Sequence, residues 1–165
     1  MPFTMIRIDD RYIHGQVATQ WMRAIPARIV FVINDDIVKD TMTQMVLEVA
    51  ASTQSIKLEI LGVEEGTKRL IEVSNNPDKM WALFGNPQDV ATAHRNGFEF
   101  KKVIVGFMRY SEEKTPIVRG GQVYVDDADI EALREIQANG VEIVMQRVPD
   151  ERPADVMKMI EKLKK

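Results

Sequence analysis

The chain alternates between continuous apolar runs and stretches in which apolar residues recur every three or four positions. Continuous runs rich in β-branched and aromatic residues predict strands, whereas the wider spacing predicts helices that bury one face. Strands are predicted around residues 6–8, 28–33, 56–61, 80–84, 103–107, 123–125 and 141–148. Because most of these runs lack a polar face, they are typical of a mainly parallel sheet that is covered on both sides.

Capping and turn residues place helices between these strands. Asn34-Asp35-Asp36 is expected to cap the second helix, and Asn86-Pro87 is a typical start of the fourth. Met42 and Met45 fall at helical spacing and are expected to fill the core. Helices are predicted over about residues 17–25, 37–50, 64–73, 87–96, 127–139 and from 153 onward. The rhythm predicts an α/β protein, a single doubly wound domain over residues 1–165 with a mainly parallel sheet of about seven strands and helices on both faces.

Composition and charge argue against several classes of protein. The formal net charge is -3, whereas a general nucleic-acid binder needs an excess of clustered lysine and arginine. Cysteine is absent, which excludes disulfides, thiolate metal sites and a cysteine nucleophile. The chain opens without a signal peptide and has no apolar run of about 18 residues, so we expect a cytoplasmic protein without direct membrane insertion. Glycine-rich loops for ATP or a dinucleotide are also missing, so no cofactor is expected.

The candidate chemistry is concentrated in residues 6–17. His14, one of two histidines in the chain, falls in the turn between the first strand and the first helix, and Gly15 and Gln16 follow it. Backbone N–H groups at a helix start lack intrahelical partners and favour an anion, so Gly15 and Gln16 are candidates for binding phosphate. An imidazole is mostly an uncharged nucleophile at neutral pH and accepts a phosphoryl group on one nitrogen. The segment therefore predicts that His14 carries phosphate.

Charged neighbours of His14 support this prediction. Arg11 and Arg7 offer guanidinium forks that match phosphate oxygens. Asp9 or Asp10 would accept a hydrogen bond from the other ring nitrogen and fix the tautomer, as in catalytic triads. The sequence leaves the choice between the two carboxylates open. We therefore group His14, Arg11, Arg7 and Asp10 as candidate catalytic residues.

Other segments are expected near His14 because ligands of open parallel sheets collect at the carboxyl ends of the strands. The rim of the site is predicted to include residues 34–36, 85–86 and 106–109. Arg109 is the strongest candidate among them for binding phosphate. His94, beside Arg95 late in the fourth helix, is predicted to be a surface histidine without a role.

Two alternatives use the same residues. Asp9 and Asp10, with Asp35 or Asp36 as a third ligand, would hold Mg²⁺ in a phosphohydrolase or in a receiver domain that is phosphorylated on aspartate. The arginines interleaved with these carboxylates would repel a cation and argue against a metal site. The other alternative is a domain that only binds a phosphorylated ligand.

The run from Ile8 to Val17, Ile-Asp-Asp-Arg-Tyr-Ile-His-Gly-Gln-Val, resembles the hallmark of a known family. That family comprises the IIB components of the mannose/fructose/sorbose type of the bacterial phosphoenolpyruvate-dependent sugar phosphotransferase system. The resemblance continues to the end of the chain, through Val32-Ile33-Asn34-Asp35-Asp36, Val103-Ile104-Val105-Gly106, Val123-Tyr124-Val125, Gly140-Val141-Glu142-Ile143 and Gln146-Arg147-Val148-Pro149.

The resemblance implies a phosphotransferase. In the family, the histidine that matches His14 receives phosphate from a IIA protein or domain and passes it to a sugar that enters through the membrane components IIC and IID. The arginines that match Arg7 and Arg11 surround the phosphohistidine. Phe107 and Arg109 depart from the glycine and histidine that many members carry there, so a reshaped rim is expected. Whether the sugar is mannose, fructose, sorbose or an amino sugar is not encoded in these residues.

Overall fold

The apolar runs form strands and the amphipathic stretches form helices throughout residues 3–163, the part of the chain that the computed structural model describes. The strands are β1 (Phe3–Asp9), β2 (Ile29–Ile33), β3 (Lys57–Leu61), β4 (Met80–Phe84), β5 (Lys102–Phe107), β6 (Thr115–Pro116), β7 (Tyr124–Val125), β8 (Glu142–Met145) and β9 (Ala154–Asp155). The helices are α1 (Gly15–Ala24), α2 (Thr41–Thr53), α3 (Val63–Glu72), α4 (Pro87–Arg95), α5 (Asp127–Ala138) and α6 (Val156–Leu163).

Seven strands form one sheet in the order β3-β2-β4-β1-β5-β8-β9, in which only the β8–β9 pair is antiparallel. Trp21 of α1 and Leu47 of α2 pack in one cluster with the sheet residue Val32. The opposite face is covered by α3, α4, α5 and α6, whose buried residues include Leu70, Val90, Leu133 and Ile160. The prediction of a mainly parallel sheet of about seven strands with helices on both faces is therefore confirmed.

The start of α2 was predicted wrongly. The Asn34 side chain accepts hydrogen bonds from the backbone N–H groups of Asp36 and Ile37, which closes a local turn instead of a helix. A 3₁₀ turn follows, and α2 begins only after Asp40, whose carboxylate accepts a hydrogen bond from the Thr43 N–H group. The segment from Asn34 to Asp36 is therefore a loop at the sheet edge.

The last third of the chain also differs from the prediction. The predicted strand 123–125 pairs outside the main sheet, where β7 and β6 form a two-stranded antiparallel ribbon. The predicted strand 141–148 ends at Met145, because the next two carbonyl groups accept hydrogen bonds from the Arg7 side chain. The chain then turns back as β9, which takes the seventh place in the sheet, and the last helix begins at Val156 instead of Pro153.

The prediction that two methionines of α2 fill the core is wrong. Met42 and Met45 do not fill the core, since 74% and 58% of their surfaces are exposed on α2. Their helix packs through Leu47 and Ala51, so the exposed methionines lie on its other side. None of the helices within residues 3–163 is both long and apolar enough to span a membrane.

Candidate functional site

His14 lies at the carboxyl edge of the sheet, between β1 and α1, where the sequence predicts it. It is the N-cap residue of α1, and its side chain is exposed and makes no capping hydrogen bond. Its carbonyl accepts the first helical hydrogen bond from the Ala18 N–H group. Within residues 3–163, the backbone N–H groups of Gly15, Gln16 and Val17 donate no hydrogen bond. An exposed imidazole therefore lies beside a set of free amide donors, which is the arrangement that favours an anion.

The turn before His14 is fixed by Tyr12. This residue adopts a left-handed backbone conformation with a φ of 59°, and its N–H group donates to the Asp9 carbonyl. Its buried ring reaches the end of β4, where a side chain in place of Gly85 would overlap the hydroxyl. Burial raises the pKa of Tyr12, and the nearby carboxylate of Asp89 raises it further. The hydroxyl is therefore a neutral anchor that holds the loop against the sheet.

Asp9 joins the two arginines that the sequence predicts around His14. Its carboxylate is almost fully buried and accepts hydrogen bonds from Nη2 of Arg7 at 3.4 Å and from Nε of Arg11 at 3.2 Å. The Arg11 N–H group also donates to it, at 3.0 Å. Because a buried charge is tolerated only with partners, the two guanidinium groups and the carboxylate stabilise one another.

Arg7 is directed into the protein. It is 2% exposed, and its Nη1 and Nη2 atoms donate to the carbonyl groups of Gln146 at 2.8 Å and Arg147 at 3.1 Å. Its guanidinium carbon lies 5.0 Å from the centre of the Trp21 ring. Burial lowers the pKa of Arg7, and the charge of Asp9 opposes this shift. The structure thus places Arg7 behind the site, where it connects β1, α1 and the loop after β8.

Arg11 is the more accessible of the two arginines. Its guanidinium group lies 4.0 Å from the centre of the Phe107 ring, and Nη1 has no hydrogen-bond partner within residues 3–163. It lines an open cavity of about 520 Å³ together with Val17 in the first turn of α1. Phe107 therefore supplies a flat surface that orients Arg11.

The structure brings Asp10 to Arg109 instead of to the imidazole. The carboxylate of Asp10 accepts hydrogen bonds from the Arg109 backbone N–H group at 3.0 Å and from its Nε atom at 3.1 Å. Within residues 3–163, the His14 ring makes no hydrogen bond with Asp9 or Asp10. The expected orientation of the ring by one of these carboxylates is therefore corrected, because arginines occupy both.

Sequence reasoning did not single out Arg147 and Glu151. Arg147 follows β8 at the sheet edge and lines the same cavity as Arg11. Glu151 accepts hydrogen bonds from the Arg147 backbone N–H group at 2.6 Å and from its Nη2 atom at 2.8 Å. The carboxyl ends of parallel strands meet at one edge of a sheet, and β8 ends at Met145. The position of Arg147, shortly after this strand, was therefore predictable from the sequence.

On the other side of β1, the same edge is acidic. Asp35 and Asp89 line a cavity of about 700 Å³ between α3 and α4. Burial raises the pKa of Asp89 to about 6, and the charges of Asp35 and Asp36 add to the shift. Asp35 accepts a hydrogen bond from the Val63 N–H group and so begins α3. Residues 3–163 contain no cluster of three side chains suited to a metal ion, and the arginines around Asp9 and Asp10 disfavour the proposed magnesium site.

Comparison with known proteins identifies the family that the sequence resembles. The family described as "PTS system sorbose subfamily IIB component" matches residues 3–165. The sorbose-specific EIIB component of Lacticaseibacillus casei is 30% identical over 99% of this chain and 98% of its own length. The mannose-specific EIIAB component of Escherichia coli K12 is 32% identical over 100% of this chain, which spans 50% of that relative.

A solved structure agrees with these matches. The IIBSor domain of the sorbose permease from Klebsiella pneumoniae superposes with a TM-score of 0.91 and 29% identity, and the match covers 98% of both chains. Together with the geometry at His14, these matches show that the chain belongs to the sorbose-subfamily IIB components of the phosphotransferase system.

Proposed function

We propose that the chain is a histidine phosphocarrier of a sugar phosphotransferase system. In this proposal, His14 accepts a phosphoryl group from a phosphorylated IIA partner in the cytoplasm and transfers it to a sugar imported by the membrane components IIC and IID. The observation that carries the proposal is the exposed imidazole at the start of α1, which makes no hydrogen bond within residues 3–163 and is followed by free backbone amides, with the accessible guanidinium of Arg11 three residues earlier in the chain.

The first transfer needs an unoccupied nitrogen on His14. The lone pair of that nitrogen forms a new P–N bond while the P–N bond to the donor histidine breaks, and the electron pair of the broken bond returns to the donor imidazole. Phosphoryl transfer depends mainly on positioning and electrostatics. Nη1 of Arg11 and the N–H groups of Gly15 and Gln16 are the donors available to the phosphoryl oxygens.

The second transfer reverses the role of His14. A sugar hydroxyl oxygen forms the P–O bond, the P–N bond to His14 breaks, and the hydroxyl proton is released. The names of the relatives specify mannose, sorbose, fructose and N-acetylgalactosamine, so we assign a hexose or an amino hexose to this chain. Because a carrier must meet a donor and an acceptor in turn, both complexes are expected to be weak and short-lived.

The buried residues Arg7 and Asp9 hold Arg11 in position. Arg7 and Asp9 form a rigid support for Arg11. Arg7 donates hydrogen bonds to two carbonyl groups, and the Asp9 carboxylate accepts three hydrogen bonds from Arg11. Arg11 therefore keeps its direction when the partner changes. Asp10 fixes Arg109 on the rim in the same way, where Arg109 would add positive charge towards an approaching phosphoryl donor.

The test uses the two histidines as a matched pair. The wild-type chain, His14→Ala and His94→Ala are incubated with a phosphorylated IIA protein carrying labelled phosphate. His94 is a suitable control because its ring packs edge-on against Phe100, 5.2 Å between centres, on α4. We expect label on the wild type and on His94→Ala, lost in acid and stable in alkali, and none on His14→Ala. Label that survives in His14→Ala, or that hydroxylamine releases as from an acyl phosphate, would contradict the proposal.

A further inference from the structure

We infer that Arg147 is a second phosphate-binding arginine, which Glu151 holds while His14 is unmodified and releases when His14 carries phosphate. The inference rests on the proposed function, and it adds a residue to the same site. In the phosphorylated state, the phosphoryl group replaces the Glu151 carboxylate as the partner of the Arg147 guanidinium group.

The charge balance of the site supports this exchange. Four guanidinium groups share three carboxylates at this edge, since Arg7 and Arg11 both bind Asp9 and the remaining pairs are Arg109–Asp10 and Arg147–Glu151. One positive charge is left over, and Asp150 at the same cavity cancels it. A phosphoryl group adds about two negative charges at neutral pH. Each of these guanidinium groups already has a carboxylate partner, so opening one ion pair makes a guanidinium group available to the phosphoryl group.

Arg147 is the arginine best placed to change partners. Its carbonyl accepts hydrogen bonds from Arg7 and, at 3.0 Å, from the Nε1 atom of Trp21 on α1, so its backbone is fixed against the helix that begins at His14. Its side chain is 48% exposed and lines the cavity shared by Arg11 and Val17. The guanidinium group can therefore move within the cavity while the backbone stays in place.

The other ion pairs are less suited to opening. Arg7 is buried and also bound to two carbonyl groups. Arg11 donates three hydrogen bonds to Asp9, and opening them would leave Arg7 as the one charged partner of this buried carboxylate within residues 3–163. Arg109 does not line the cavity beside Arg11.

The Glu151 carboxylate binds Arg147 in the way that a phosphoryl group would bind it. Its carboxylate binds the Arg147 guanidinium through two nitrogens and also accepts a backbone N–H group, as a phosphoryl group would. Burial alone would raise the pKa of Glu151, but the hydrogen bonds from Arg147 lower it below its usual range. Glu151 therefore stays charged at neutral pH and competes with phosphate for Arg147.

The experiment measures the lifetime of the phosphohistidine. The full chain and its variants are phosphorylated with phosphoramidate, a small donor that needs no partner protein, and the hydrolysis of the P–N bond is followed by ³¹P NMR. We expect Arg147→Gln to shorten the lifetime by about tenfold, as for the loss of one charged hydrogen bond. Glu151→Gln frees Arg147 without removing it, so the lifetime should lengthen. The pH midpoint of the ³¹P shift should rise in Arg147→Gln, which a merely structural role would not produce.

Arg95→Gln and Glu135→Gln are the matched controls, because Arg95 and Glu135 form a similar multiply bonded, exposed pair between α4 and α5. Both controls should keep the wild-type lifetime. Equal lifetimes in Arg147→Gln and Arg95→Gln, or a shorter lifetime in Glu151→Gln, would overturn this inference while leaving the proposed function intact. A wild-type chain that gains no phosphate on His14 would instead overturn the proposed function, and the inference with it.

Discussion

The two halves of the sheet edge on either side of β1 share a backbone design but differ in the charged side chains that follow their strands, and we refer to them as the basic half, towards β5 and β8, and the acidic half, towards β2 and β4. Towards β5 and β8, the strand ends are followed by arginines, whereas towards β2 and β4 they are followed by Asp35, Asp36 and Asp89. Both halves border open cavities. The difference teaches that the open edge of a parallel sheet offers a place for a ligand, and that side-chain charge decides which ligand is favoured there.

The halves also differ in how their charges are compensated. Each arginine of the basic half has a carboxylate partner. Within residues 3–163, Asp89 in the acidic half has no such partner, and burial together with the neighbouring carboxylates keeps its pKa at about 6. In the proposed function, a phosphoryl group on His14 is therefore favoured beside the arginines of one half and repelled by the carboxylates of the other.

The largest expected effect comes from weakening the basic half at Arg11. Arg11→Gln removes the accessible guanidinium but leaves Arg7 to compensate Asp9. Loss of one preorganised donor to a developing charge costs ~2.7–4 kcal/mol, so phosphoryl transfer to His14 should slow by about 100-fold to 1,000-fold. The rate is measured with a phosphorylated IIA protein. Arg69→Gln is the control, since Arg69 pairs with Glu59 on the far side of the sheet. A similar rate in both variants would remove Arg11 from the site.

A second test asks whether the basic half is rigid. Gly106 on β5 lies against Arg7, and a methyl group there would overlap the guanidinium. Gly106→Ala should therefore lower the free energy of unfolding by about 3 kcal/mol, because it overpacks the core and disturbs a buried ion pair. Urea denaturation measures the change. Gly120→Ala has open space around the new methyl group and a φ of 74°, so only backbone strain of about 1 kcal/mol is expected. Equal losses would show that Arg7 is loosely held.

The smallest effect concerns the acidic half. The pKa of Asp89 is about 6 in the folded chain and about 3.9 in an unfolded one, so ionisation destabilises the fold increasingly from pH 4 to 6 and by a constant amount above that. Asp89→Asn removes this penalty. Relative to wild type, its stability should be unchanged near pH 4 and higher by about 1–2 kcal/mol at pH 8, allowing for solvent screening.

The measurement for Asp89 is the free energy of unfolding in urea at both pH values. Asp127→Asn changes an exposed carboxylate in the first turn of α5 and is not expected to gain stability with rising pH. A gain of the same size at pH 4 and pH 8 would show that ionisation of Asp89 is not the cause.

Sequence reasoning found the features that depend on neighbouring residues. The turn at His14 and the helix start at Asn86 were predicted from adjacent strand, glycine and proline signals, and the structure confirms both positions. The partners of the charged residues were not predictable in this way. Arg109 lies 99 residues from Asp10, and the spacing of charges along a chain does not reveal such pairs. Asp35 is a second example, since its carboxylate accepts a hydrogen bond from the Val63 N–H group, 28 residues later.

The hydrogen bonds from Arg7 to residues 146 and 147 also set an order in time. During synthesis, β1 and His14 leave the ribosome before the carbonyl groups that fix Arg7, which follow 139 and 140 residues later. Contacts of such high sequence separation form late in folding because a long loop must close first. Until residues 146 and 147 reach Arg7, the segment that carries His14 therefore lacks the fixed partners of the buried guanidinium group.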